Sequence, residues 1–214
     1  MDKKDRTARA EYVIQVLEKV YPDARCSLEY KEPYQLLIAT RLSAQCTDAR
    51  VNMVTPALFE RFPSIEAFAE ADVEEIEKYI RSCGLFHTKA VNIRDMCRAL
   101  AKMGGVLPDT VEELTKLPGV GRKTANLIVG DVYGKPAVVC DTHCIRICRR
   151  LGLTTSDDPL RTEKELREIL PPDKSSDLCH RLVNFGRDTC KARDPSCKDC
   201  PLRDKPDGYV CRLK

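Results

Sequence analysis

A lysine two residues beyond a Gly-x-Gly turn, in the run Leu117-Pro118-Gly119-Val120-Gly121-Arg122-Lys123, is the first group in this chain suited to covalent chemistry. Gly119 and Gly121 free the turn to take positive φ and let another backbone come close. The apolar stretch that follows predicts a helix from about Arg122. The first N–H groups of that helix have no intrahelical acceptor and stand at the positive end of its dipole, a place where a phosphate can sit. Arg122 adds charge to what would be a sequence-independent phosphate contact. Lys123 falls in the first turn, where the dipole disfavours a cation. An amine present as free base can attack an electrophilic carbon and form a Schiff base. The plainer alternative is an ordinary helical hairpin with a glycine turn and a solvated lysine.

Two further groups stand out. Asp141 follows the apolar run Pro136–Cys140 and precedes an amphipathic segment. A carboxylate there could offset positive charge building on a sugar ring, and it could equally cap a helix, a frequent role for Asp. The chain also has 12 cysteines, of which Cys190, Cys197, Cys200 and Cys211 crowd the last 25 residues. In a reducing compartment such a cluster favours a metal over disulfides. The other eight are scattered, several of them in apolar runs where they read as small buried hydrophobes.

The elements that must position these groups read almost entirely as helices. Apolar residues recur at helical spacing over 9–21, and 33–44 is apolar nearly all round, which predicts a central buried helix. Asp48 is expected to cap 49–61, with Pro56 breaking or kinking it. Ser64 caps 65–70, and Asp72 caps a helix that ends at Gly84. A helix over 87–103 stops at Gly104-Gly105. Thr110 with Glu113 makes a capping box, and Thr162 with Glu165 a second one for 163–169. Helices are also expected over 122–133, from Thr142 to Gly152, and from Ser176 to Cys190. Residues 135–141 carry the one β-branched run worth naming. The tail beyond has no helical periodicity and needs another means of support. The fold class is therefore all-α, with about ten helices.

Composition narrows the function classes. With 214 residues, 43% hydrophobic and 32% charged, the chain can bury a core and is expected to be globular. No apolar run approaches the roughly 20 residues a bilayer needs. The polar N-terminus lacks a secretory h-region, so a cytoplasmic location is expected. Net charge is +3, unevenly spread: residues 119–214 carry 19 Lys/Arg against 14 Asp/Glu. A basic half favours a polyanionic partner.

Taken together, Leu117–Asn126, the later Val139-Cys140-Asp141-Thr142-His143 and the four-cysteine tail resemble the helix-hairpin-helix DNA glycosylases of the endonuclease III family. Residues 37–53 and 84–93 resemble it too, and the similarity spans about residues 10–200. The resemblance implies a two-domain fold: a helical bundle over 26–136 containing the hairpin, and 1–25 joined to 137–214 with an iron–sulfur cluster loop. It implies Lys123 as nucleophile on the sugar carbon bearing the damaged base and Asp141 as the assisting carboxylate, with Cys140 where the family usually has valine. The lysine marks enzymes that also nick the strand by β-elimination. Gln45 and Leu85 match residues that enter the helix where a base is extruded, and Gly119, Val120, Gly121 and Arg122 match the DNA-binding hairpin. Ser43, Asp48 and His143 match positions near the family's pocket. Double-stranded DNA carrying damaged bases or abasic sites is the implied partner, approached by a monomer associated with the nucleoid.

The tail departs from the pattern. Cys190, Cys197 and Cys200 keep the family spacing around a [4Fe–4S] cluster, but the fourth expected position is Pro206 and the next cysteine is Cys211. A loop with a Pro-Asp-Gly turn could still deliver Cys211; a four-thiolate zinc site and a site without metal are the competitors. Lys191 and Arg193 would then lie near phosphates. Rival functions are a glycosylase for mismatched uracil or thymine, and a non-catalytic hairpin module that holds DNA.

Overall fold

The computed structural model describes residues 2–203 and 211; the Pro206–Gly208 turn lies outside the described residues. Among them are eleven α-helices: α1 (Lys3–Val20), α2 (Pro33–Leu42), α3 (Asp48–Arg61), α4 (Ile65–Glu70), α5 (Val73–Ile80), α6 (Phe86–Lys102), α7 (Val111–Leu114), α8 (Arg122–Asp131), α9 (Thr142–Arg150), α10 (Pro159–Arg167) and α11 (Ser175–Asp188). No strand occurs among the described residues. The run over 137–140 is buried but extended without a ladder, and the Val139 N–H bonds the Cys179 thiol instead. No described helix is long and apolar enough to cross a membrane. The chain divides into two compact units, Cys26–Tyr133 and Met1–Arg25 with Gly134–Lys214.

In the first unit α2 is buried nearly all round, as its sequence requires, and packs against α3, α6 and α8. The helix α6 meets α4 and α5 through Ile93, Met96, Cys97 and Leu100. The few aromatic residues are concentrated here: Phe68 makes ring contacts with Tyr34, Phe59 and Phe62, and Tyr79 packs edge-on to Phe62. In the second unit α11 packs on both α1 and α9. The Cys144 thiol hydrogen-bonds Cys140, Cys148 and Cys179, and these bonds together with burial push it well up, so the four behave as small core hydrophobes.

Several helix ends differ from expectation for identifiable reasons. Thr47, not Asp48, caps α3 by accepting from the Arg50 N–H, and Asp48 is the first helical residue. Pro56 does not break α3; it lies on the exposed face, where the carbonyl it leaves unpaired can be hydrated. The Thr162–Glu165 box does not form. Asp158 followed by Pro159 starts α10 a turn earlier, and Asp158 Oδ1 accepts from Arg161. Thr162 is left inside the helix, buried and bonded to the Ser156 carbonyl, while Glu165 holds Thr155. The first helix starts at Lys3, six residues early, because Asp2 caps it.

Candidate functional site

The hairpin turn between α7 and α8 assigns its two glycines different work. Gly119 has φ +74, and a Cβ there would come within 2.9 Å of Asn92 Cβ, so both conformation and space demand glycine. Gly121 corrects the expectation of positive φ: it is the extended N-cap of α8 at φ −92, and a Cβ added there would meet nothing. The open space leaves the first N–H groups of α8 approachable. Val120 is buried beneath the turn, while Arg122 and Lys123 are exposed on the first turn of α8. Asn92 Oδ1 also accepts from Arg41 at 2.6 Å, so one α6 side chain supports both the turn and α2.

The remaining candidates of this unit lie on two connections. Ser43 closes α2 and donates to the Thr40 carbonyl at 2.9 Å. Asp48 Oδ2 accepts from Ser27 Oγ at 2.5 Å. Between them Gln45 is exposed with φ +55. Leu85, between the 81–83 turn and α6, has φ +48 and is 59% exposed, not the core position its side chain alone suggests. Left-handed backbone at a non-glycine residue costs about 1–2 kcal/mol. Gln45 and Leu85 are two of three such residues among those described, the third being Asp194 in the cysteine tail. Sequence alone could not reveal this, since neither residue type favours the conformation.

In the other unit Asp141 caps α9, its Oδ1 accepting from the Cys144 N–H at 2.7 Å; the cap uses one carboxylate oxygen. His143 follows on the first turn, its Nδ1 3.2 Å from Arg146 Nη2. Gly186 of α11 makes room for this ring: a Cβ there would lie 2.3 Å from His143 Nδ1. The far end of α9 holds the tail. Arg146 donates to the Cys190 carbonyl at 3.0 Å, and Arg150 to the carbonyls of Lys191 and Ala192 at 2.7 and 3.1 Å. Arg150 Nη1 is also 3.4 Å from Cys190 Sγ. Sequence reasoning missed Asn92, Gly186, Arg146 and Arg150. A glycine in the middle of a helix and two arginines four residues apart were the available signals.

The four tail cysteines line one pocket of about 360 Å³ with Leu151, Phe185 and Leu202. Cys190 is buried, Cys200 and Cys211 are half-buried, and Cys197 is exposed. Burial, and after it the charges of Cys190, Cys211 and Cys197, push the Cys200 thiol up. Cys211 thus shares a pocket with the other three, and its Sγ lies 3.5 Å from the Arg150 carbonyl oxygen. Lys191 and Arg193 are exposed on the turn after Cys190.

Residues 38–172 match the HhH-GPD superfamily of base excision DNA repair proteins. The chain is 47% identical to endonuclease III of Synechocystis over 91% of its own length and 90% of the relative's. It is 42% identical to endonuclease III of Bacillus subtilis, with 90% and 89% covered. A solved structure of a trapped endonuclease III–DNA covalent intermediate superposes with a TM-score of 0.87, at 44% identity and with 94% of each chain covered. With an all-helical fold, a glycine hairpin carrying Lys123 and an Asp-capped α9 already in place, these likenesses make the chain a member of the endonuclease III family of HhH-GPD base excision repair proteins.

Proposed function

We propose that this DNA glycosylase/AP lyase removes oxidised pyrimidines from double-stranded DNA and then nicks the strand through a Schiff base on Lys123. The observation that carries the reading is an exposed lysine on the first turn of the hairpin helix α8, in a chain that is 44% identical to an endonuclease III trapped covalently on DNA. Chemistry on a base requires that the nucleotide leave the stack. Leu85 and Gln45 enter the space it vacates, Leu85 as a wedge and Gln45 as hydrogen-bond partner to the orphaned base. Phosphates on either side rest on the N–H groups of α8 and on Arg122, Lys191 and Arg193.

The amine of Lys123 attacks C1′ as the C1′–base bond breaks, and the Asp141 carboxylate offsets the positive charge that develops on the sugar. Ring opening yields the Schiff base. Loss of a C2′ proton then expels the 3′ phosphate, and water releases the lysine. By the family resemblance, Ser43, Asp48 and His143 are each expected to contact the extruded base.

Cys190, Cys197, Cys200 and Cys211, which line one pocket, are the residues that would hold a [4Fe–4S] cluster; as they stand, no three metal-binding side chains among the described residues are grouped tightly enough to hold a metal ion. What favours the cluster over zinc is the likeness to endonuclease III over 91% of the chain, since four thiolates suit either occupant. When bound, the cluster ties four separated points of a non-periodic tail together. The purified protein is expected to show a visible charge-transfer band and about four irons per chain, with Cys211→Ser losing most of both. Zinc in place of iron would overturn this assignment.

A panel of single lesions in one duplex, scored separately for base release and for nicking, tests the activity. Oxidised pyrimidines are expected to give both. Release of mismatched uracil or thymine without nicking would replace the proposal, and binding with neither product would make the chain a holding module.

A further inference from the structure

Lys89 has no part in the chemistry above, yet it is fully buried. A lone ammonium in a protein interior carries a heavy desolvation cost, and methionine or leucine would fill the volume without it. Its position follows the core stripe of α6, four residues before Ile93 and eight before Cys97, so the helix directs it inward. There Nζ donates to the Leu42 carbonyl at 2.7 Å and to the Cys83 carbonyl at 2.6 Å. Leu42 is the last residue of α2, and Cys83 the last of the 81–83 turn. Terminal carbonyls lack intrahelical donors and favour a cation. One ammonium therefore caps two helix ends at once.

What leaves those two ends gives the arrangement its meaning. Gln45 comes three residues after Leu42, and Leu85 two residues after Cys83. Both stand in left-handed backbone, a conformation that persists only where the surroundings over-determine it. The Cys83 thiol beside the ammonium supplies no counter-charge, since burial, then the neighbouring Cys46, pushes it up to about 11, and burial also pulls the Lys89 ammonium down from its ordinary value. The carbonyl dipoles hold the charge.

We propose that Lys89 is a positioning residue for DNA opening: its ammonium ties the end of α2 to the end of the 81–83 turn and so fixes the spacing at which Gln45 and Leu85 enter the duplex. The proposal rests on the reading of those two residues as the DNA-inserting pair. A displacement of about 1 Å in positioning groups can change rates by roughly 100-fold.

The test compares nicking of an abasic site in a fully paired duplex with the same site in an unpaired bubble, where no stack has to be opened, under single turnover. Gln45→Ala and Leu85→Ala calibrate the assay by lowering the duplex-to-bubble ratio. Lys89→Met, which keeps the volume and removes the charge, is expected to lower that ratio by about ten-fold or more, with Lys89→Arg restoring most of it. Equal losses on both substrates would reduce Lys89 to general packing and overturn the proposal. Should Lys89→Met fail to fold, Lys89→Gln, which retains N–H donors, is read by the same ratio. If the Gln45 and Leu85 variants leave the ratio unchanged, the insertion reading itself falls, a result distinct from failure at Lys89 alone.

Discussion

Lys123→Ala protein, mixed with an abasic duplex and borohydride, is expected to leave no covalent adduct, while the unaltered chain is captured on the DNA. Borohydride reduces the C=N bond of a Schiff base to a stable amine, so the adduct reports which nitrogen attacked. Strand nicking should fall by about 1,000-fold or more, since a nucleophile that forms the intermediate has no substitute within the same step. The fold should not notice the change. Lys123 is exposed on the first turn of α8, and exposed substitutions of this kind are usually within about 0.5 kcal/mol. Unchanged melting with abolished capture therefore isolates chemistry from stability. Full capture by the variant would remove Lys123 from the role of nucleophile.

Asp141→Asn separates the two roles that one carboxylate could fill. Asn is as good an N-cap as Asp, so its side-chain oxygen can still accept from the Cys144 N–H, now 2.7 Å from Oδ1. What disappears is the charge. If the carboxylate offsets the cation developing on the sugar, base release should slow by roughly 100- to 1,000-fold, with melting temperature essentially kept. Asp141→Ala removes cap and charge together and should additionally cost about 1 kcal/mol of stability. Normal base release by the Asn variant would leave Asp141 as a helix cap and nothing more.

The contrast between these two residues and Lys89 shows what a linear sequence discloses. The places of Lys123 on the first turn of α8 and of Asp141 at the cap of α9 are legible because each sits beside a local signal: a glycine turn in one case, an apolar run opening onto an amphipathic helix in the other. Caps such as Ser64 on α4 follow from the same short-range rules. The box expected at Thr162 failed because a stronger competitor, an Asp-Pro pair, stood four residues upstream. Gly121 shows a different limit. Glycine permits positive φ without requiring it, and only the structure tells that Gly119 uses the freedom and Gly121 keeps its face bare. Lys89 was hidden because its partners are two backbone carbonyls, which carry no residue identity for a sequence pattern to register. Its place in the buried stripe of α6 was the one available hint.

The crowding of ring contacts among Tyr34, Phe59, Phe62, Phe68 and Tyr79 has an optical consequence. The chain has no tryptophan, so the aromatic part of its near-ultraviolet dichroism, read on protein stripped of any tail metal, must come from tyrosine and phenylalanine held in fixed asymmetric surroundings, and is weighted towards the half spanning 26–133. Far-ultraviolet dichroism counts helices in both halves. Two melting curves recorded on one sample would thus report whether the halves let go in concert or in succession.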